Sequence, residues 1–594
     1  MSPTDRRPAR PRAGNRHVPR PLRDYVLLAD GERGALTGPE GDVVWLCVPG
    51  WDGPAVFSEL IGGAGAFTVC PQESWKVSGG AYDEGSLIWT ARWTLPDAVV
   101  ECREALAAPA EPHRVVVLRR LRGVTGAARI SVRLAVRGEY GGAPAPVLRR
   151  VGEGLWEGER GSLRVRLRGV RAARTGPDGE LTAHVDVPGG GVCDLVLEIG
   201  DRPLGEPAGA EAAWRRTEAF WAAAVPSCAG LTAARDVRQA YAVLTGLTSP
   251  RTGAMVAAAT TSLPEHTGSD RDYDYRYAWL RDQCYAGQAV AAHRPHPLLD
   301  AAVHVVTERV LADGPGLRPV YRTDGSPVPP ERRLPLCGYP GAADRIGNRA
   351  GSQFQLDTFG EALELLAAAA RHERLSDDGV RAAAVAAKAL EECWEEPDAG
   401  LWELETAWWT HSRLVAVTGL RAAAREIGGA AAGRWSDLAD TILRVTRRRC
   451  LHPSGRWQRS ASDPGPDAAL LRPLASAYWP GAGSVASATR EAVARELAVD
   501  GFVYRFRQGD GPLGEAEGAF LLGGFLMASA CLAQGMPVAA GRWFERTRTA
   551  VGQAGLFAEE YDVRGRRLRG NLPQAFVHAL LLESAVRLDA ATAG

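Results

Sequence analysis

Hydrophobic positions alternate with polar ones through much of the first 200 residues. Ile130, Val132, Leu134 and Val136 are interleaved with Ser131, Arg133 and Arg137. Leu163, Val165 and Leu167 are interleaved with Arg164, Arg166 and Arg168. Residues 181–187 and 192–199 repeat the pattern, with GPDG and PGGG turns nearby. A period of two places successive side chains on opposite faces of a strand. Many short strands separated by turn signals predict an antiparallel sandwich.

Near residue 205 the period changes to that of a helix. Residues 211–225 (EAAWRRTEAFWAAAV) predict a first helix, ended by Pro226. Further helices are predicted over 234–247, 279–292, 298–311, 354–371, 377–394, 412–427, 435–449, 484–498, 515–531, 537–552 and 573–588. The spacing leaves room for one more. Long Gly/Pro-rich polar loops, 313–351 and 451–483, lie between them, and loops of that length in a compact domain usually carry function. Paired helices closing into a ring fit this spacing. A looser bundle also fits, whereas a solenoid needs a fixed repeat that the sequence lacks. The expected organisation is a disordered basic tail over 1–20, a sheet domain over 21–205, a linker helix over 206–232 and a helical domain over 233–594.

Composition narrows the function. Lys plus Arg and Asp plus Glu are both 70, so the net charge is zero. That excludes the broad basic field of a general nucleic-acid binder. Only Lys76 and Lys388 are lysines, which points to coding bias. The ten cysteines are widely scattered with no C-x-x-C pair, which fits free thiols in a reducing cytoplasm. The tail lacks the apolar stretch of a secretory signal. Residues 518–536 carry no charge over 19 positions but hold four glycines, and are expected to be a buried core helix rather than a membrane span. Trp (17) outnumbers Tyr (13) and Phe (12). Most of these rings are expected in the core, and some could stack on a flat ligand.

Three segments hold the candidate chemistry. Residues 260–282 (TTSLPEHTGSDRDYDYRYAWLRD) set Asp270, Asp272, Asp274 and three arginines among Tyr273, Tyr275, Tyr277 and Trp279. Carboxylates and guanidiniums make directional bonds to hydroxyls, while ring faces cover apolar sugar faces; a salt-bridged solvated loop has the same composition. Residues 398–413 (DAGLWELETAWWTHSR) put Glu403 after Trp402, and an indole beside a carboxyl favours its protonated form, as a general acid needs. Residues 555–578 (GLFAEEYDVRGRRLRGNLPQAFVH) put Glu559 beside Glu560, with Arg564, Arg566, Arg567 and Arg569 following. A carboxylate kept ionised by such cations could activate water. For both glutamates a plain surface role is the bland alternative. No P-loop, H-E-x-x-H, G-x-S-x-G or dinucleotide fingerprint stands in a convincing context. His266, His411 and His578 are isolated and expected to be structural.

Taken together, these segments resemble glycoside hydrolase family 15, the glucoamylase-like family that also contains bacterial trehalases. The resemblance runs from RDYVLLADGERGALTGPEGDVVWLCVPGWDGPAVFS (23–58) through TGAMVAAATTSLPE, DYDYRYAWLRD, GYPGAADRIGNRAGSQFQLDTFGE, GLWE and EGAFLL to AEEYD and GNLPQAFVH. It implies a β-sandwich followed by an all-α (α/α)6 toroid barrel. It implies that Glu403 is the general acid and Glu559 the general base. Arg281 and Asp282 are expected to hold the non-reducing-end glucose, with Trp279, Trp402 and Tyr277 around the same sugar. Where bacterial members commonly read NWDYRYCWLRDA, this chain reads DYDYRYAWLRDQ, and Val417 replaces a common tryptophan. Both changes bear on substrate rather than on the carboxylates.

The expected activity is inverting exo-hydrolysis of α-linked glucosides, releasing β-glucose from maltooligosaccharides or α-1,4-glucan. Trehalose is the alternative substrate for the same carboxylate pair. Phosphorolysis would not need Glu559, and an idle carbohydrate-binding protein would be expected to have lost a carboxylate. The expected partner is a small carbohydrate, with no metal, cofactor, nucleic acid or membrane, and with homo-oligomers left open.

Overall fold

The computed structural model of the protein describes residues 18–266, 268, 271–480, 483–509 and 511–592. The expected tail over 1–20 therefore lies outside the described residues up to position 17, as does Asp270.

Two eight-stranded antiparallel sheets form a sandwich-like N-terminal domain. The first is ordered Val26–Ala29, Gly34–Thr37, Asp42–Cys47, Ala66–Pro71, Ala128–Ala135, Leu181–Val187 and Ala173–Thr175, with Ala55–Phe57 paired to Asp42–Cys47. The second runs from Arg149–Gly152 at one edge to Val77–Tyr82 at the other. The alternation read from the sequence sets the register. Val132 stands opposite Val69 and Ala183, and Leu134 opposite Phe67 and Leu181. Ile130, Val132 and Leu134 are buried, while Arg129 is exposed.

The helices that follow are α1 (Ala210–Ala224), α2 (Ala234–Leu247), α3 (Leu280–His293), α4 (Pro297–Asp313), α5 (Asp357–Arg371), α6 (Asp377–Cys393) and α7 (Thr410–Glu426). Then come α8 (Ala432–Cys450), α9 (Leu471–Ala475), α10 (Ser484–Glu496), α11 (Leu521–Ala533), α12 (Pro537–Arg548) and α13 (Ala575–Thr592). The odd-numbered helices from α3 to α13 contact one another in succession, and α13 returns to α3. The even-numbered helices from α4 to α12 each contact the helix before them in sequence, and α2 packs on α13.

Two local departures have physical causes. Helix α9 has five residues including Pro473, too short for a period to register. Residues 515–520 are not helical. Ala519–Phe520 instead pairs with the Glu560–Asp562 strand, and Gly518 donates its N–H to Glu560 Oε2 at 2.7 Å. Sheet pairing overrides helical periodicity there. The uncharged stretch 518–536 thus yields the 13-residue helix α11, whose residues from Leu521 to Cys531 are all buried. Among the described residues, no helix is long and apolar enough to cross a membrane.

A buried ion pair ties the two halves together. Arg276 grips Asp274 in bidentate fashion, Nε to Oδ1 at 2.8 Å and Nη2 to Oδ2 at 2.7 Å. Its Nη1 donates to Gly53 O at 3.0 Å in the sheet domain. Asp274 also accepts from Gly347 N–H at 3.1 Å. Trp45 Nε1 reaches across to Ala259 O at 2.8 Å, and Ser249 Oγ to Glu32 Oε1 at 2.5 Å. Removing one partner of such a pair strands a buried charge. Arg276→Met is therefore expected to cost about 3–5 kcal/mol, read as a lower urea midpoint. Adding Asp274→Asn to it should restore part of the loss, because the stranded charge is gone.

Candidate active site

The stretch of residues 273–277 runs antiparallel to residues 257–262 beside the cleft. Its backbone is held by the bonds Ala257 N–H to Tyr277 O, Ala258 N–H to Tyr275 O and Ser262 N–H to Tyr273 O. Asp274 and Arg276 turn into the ion pair just described. Tyr273, Tyr275 and Trp279 face a cleft. Trp402, Glu403 and Arg281 form another wall, and Glu559, Glu265 and Arg505 close it. All of the cleft's lining residues come from the region after residue 256. The sheet domain backs the wall without entering it.

Glu403 sits in a tight turn after Gly400. Its N–H donates to Gly400 O at 3.1 Å, and Leu404 N–H to Ala399 O at 3.0 Å. Its φ is +56°, in the left-handed region that a non-glycine residue rarely adopts. The turn is anchored from below by Asp398, which accepts from Gly400 N–H and Ser412 Oγ and is paired with Arg413. The indole that reaches Glu403 is Trp279, whose Nε1 donates to Oε1 at 2.6 Å. Arg281 Nη1 lies 3.7 Å from the same oxygen. The neighbouring indole, Trp402, lines the cleft but donates its own N–H to Asp467 Oδ1 at 2.8 Å. Trp402, the indole that sequence adjacency singled out, shares the cleft with Glu403, but the hydrogen bond comes from Trp279.

Glu559 is buried at the end of the strand pairing just described. Tyr275 donates its hydroxyl to Oε1 at 3.0 Å. Oε2 has no donor. Burial, and then the charge of Glu265, push the Glu559 carboxyl well above its usual range; Arg505, the Tyr275 bond and Arg281 oppose this. The hairpin arginines expected to keep it ionised do not reach it. Arg564, Arg566 and Arg567 are exposed, and Arg569 bonds Asp562 at 3.2 Å. Arg505, 54 positions before Glu559 in the chain, stands in their place.

Two expected sugar contacts lie behind the wall. Asp282 is fully buried, 3.5 Å from Arg281 Nε, and burial raises its carboxyl to about 6 against the pull of Arg281. Tyr277 is buried in a cluster with Ala257, Trp279, Val320, Val328 and Ala350. Neither lines the cleft. Trp279, two residues on, still lines the cleft, so the alternation fails at Tyr277 itself, which the apolar cluster takes up. Val417 is likewise in the core, away from the cleft. His411 and His578 are buried, and burial lowers both to about 3. Among the described residues, no three His, Cys, Asp or Glu side chains stand together to hold a metal ion.

Sequence reasoning missed Glu265, Tyr275 and Arg505. Tyr275 and Glu265 were in plain view within the TTSLPE and DYDYRY stretches, but only the fold aims them at Glu559.

Residues 236–552 match the family model described as glycosyl hydrolases family 15. The chain belongs to glycoside hydrolase family 15. Residues 14–221 match a second model, trehalase-like, N-terminal. The trehalase of Mycolicibacterium smegmatis is 29% identical over 618 residues, covering 96% of this chain and 91% of its own. The trehalase of Mycobacterium tuberculosis is 28% identical, covering 96% and 89%. A crystal structure of a bacterial glucoamylase complexed with acarbose superposes with a TM-score of 0.71 over 98% of this chain and 96% of that one, at 14% identity, which shows a shared fold. This family-15 chain is a glycoside hydrolase, and Trp279 offers a direct handle on its cleft. Trp279→Phe removes the N–H from Glu403. A hydrogen bond contributes about 0.5–1.5 kcal/mol, so kcat is expected to fall about 2- to 10-fold with little change in KM.

Proposed function

We propose that the protein is an inverting exo-glycosidase whose substrate is α,α-trehalose. The observation that carries the chemistry is the convergence of Glu403 and Glu559 on one cleft from distant parts of the chain. Glu403 is the acid. It protonates the leaving glycosidic oxygen, and Trp279 orients it. Glu559 is the base. It draws a proton from a water that attacks C1 from the opposite face, and Tyr275 orients it. Inversion requires the two carboxyls ~6.5–9.5 Å apart to admit that water. Arg281 holds hydroxyls of the reacting glucose, with Asp282 fixing the guanidinium from behind. Trp402 supplies an apolar face to the sugar.

Trehalose takes precedence over the maltooligosaccharide expected first. The relatives named trehalase align along nearly the whole chain, and the sheet domain matches a trehalase-like model. The likeness to glucoamylase is one of fold. We also read the closed succession of odd-numbered helices, with the even-numbered ones outside it, as an (α/α)6 toroid beginning near residue 233. The linker helix over 206–232 joins it to the sandwich. Ten unpaired cysteines favour a cytoplasmic setting. A neutral chain suits a neutral sugar that needs no steering.

A panel of trehalose, maltose, maltotriose, isomaltose and soluble starch tests the substrate, with anomers followed by NMR. Inverting hydrolysis of trehalose releases one α- and one β-glucose at first, because only the attacked carbon inverts. Fastest turnover on maltotriose or starch would overturn the trehalose reading. Glu403→Gln and Glu559→Gln should each lower kcat about 10²- to 10⁴-fold on trehalose. α-Glucosyl fluoride needs no protonated leaving group, so Glu403→Gln should retain activity on it and Glu559→Gln should not. The opposite pattern would exchange the two roles.

A further inference from the structure

The wall around Glu559 is crowded with acid. Glu265, Glu517, Glu559 and Glu560 are all buried within it. Two guanidiniums, Arg505 and Arg271, stand among them, and both are committed to Glu517. Arg505 Nε reaches Glu517 Oε2 at 3.0 Å, and Arg271 Nη1 reaches the same oxygen at 2.8 Å. Glu560 takes the Gly518 N–H on Oε2 and leaves Oε1 without a donor. Arg505 Nη2 is 3.9 Å from Glu265 Oε2, beyond hydrogen-bond range. Glu265 Oε2 and Glu559 Oε2 are both buried without a donor.

The two carboxyls are neighbours on the same wall of the cleft, on either side of Gly570. Gly570 makes the approach possible. Its N–H holds Pro264 O at 2.9 Å, and a Cβ there would stand 3.3 Å from Glu559 Oε2 and 3.8 Å from Glu265 Cγ. Two neighbouring carboxyls this deeply buried do not both ionise. One proton held by the pair relieves their repulsion.

We infer that Glu265 and Glu559 share one proton, so that Glu559 acts as a base only as half of a singly ionised carboxyl pair. This rests on the reading of Glu559 as the base. When the attacking water forms its bond to C1, the C1–O glycosidic bond breaks and Glu403 gives its proton to the leaving oxygen. Glu559 takes the water's proton, and the shared proton moves fully onto Glu265. The neutral pair then returns one proton to solvent. Glu265 is a positioning residue in this scheme. The charged and titratable groups around the pair include Arg505, Glu517, Arg271, Glu560, Tyr273, Tyr275 and Arg281, with Arg349 and Glu403 across the cleft. Burial raises both carboxyls, Glu265 to about 7 and Glu559 well above its usual range, with Arg505 opposing, which agrees with one proton held by the pair near neutrality.

The test uses Glu265→Gln and Glu265→Leu in the full chain, with α-glucosyl fluoride as substrate so that Glu403 is not needed as acid. The Gln amide donates an N–H to Glu559 as the protonated partner would. Its activity should stay within about tenfold of the parent, with the acid limb of the kcat/KM profile in place. Leu offers no donor, so the acid limb should move up by about one pH unit or more and the rate fall further. Infrared difference spectra of the parent and Glu265→Gln provide a second readout. The variant should lose one protonated-carboxyl signal present in the parent at slightly acid pH. Parent-like profiles in Glu265→Leu, equal losses in both variants, or an unchanged infrared signal would overturn the shared proton. A parent protein that hydrolyses neither the fluoride nor any glucoside would instead overturn the functional reading beneath it.

Discussion

The bidentate pair of Asp274 and Arg276 is the constraint on which the site depends. It has no water to fall back on, so it must keep its geometry. That geometry reaches three places at once: the Trp51–Gly53 turn of the sheet domain, the Gly347–Asn348 stretch, and its own extended segment. Tyr275 lies between the two partners in sequence. It can only face the cleft, and there it meets Glu559. Five residues after Asp274 the same segment delivers Trp279 to Glu403. Both carboxyls are thereby oriented from one stretch of chain, which is itself fixed by the sheet domain behind it.

This arrangement explains what a domain outside the cleft contributes. The sandwich supplies carbonyls and apolar surface to the back of the wall, and the helices supply the front. A packed interior transmits small displacements rather than absorbing them. A shift of the sheet domain would therefore be felt at Tyr275 and Trp279 without any change in the lining residues themselves.

The sequence made some of this legible and hid the rest for identifiable reasons. Strands such as Leu181–Val187 and helices such as α2 were readable because one face of each is buried and the period records it. Glu403 and Glu559 were readable through motifs whose residues are contiguous in the chain. The partners of those glutamates were not. Trp279, Tyr275 and Arg505 come from 124, 284 and 54 positions away in sequence, and no local pattern encodes such pairings. Tyr277 and Asp282 were placed in the cleft by their company in a motif, whereas an apolar cluster takes up Tyr277 and α3 buries Asp282. The crowding of carboxyls around Arg505 was invisible for the same reason, since Glu265, Glu517 and Glu560 belong to three separate segments.

The left-handed backbone at Glu403 carries a further implication. That conformation suits glycine and strains any residue with a Cβ, by about 1–2 kcal/mol. An inactive descendant with glycine at this position would thus hold its turn more comfortably than the working enzyme does. Under the role proposed for Glu403, stability and turnover pull this single residue in opposite directions.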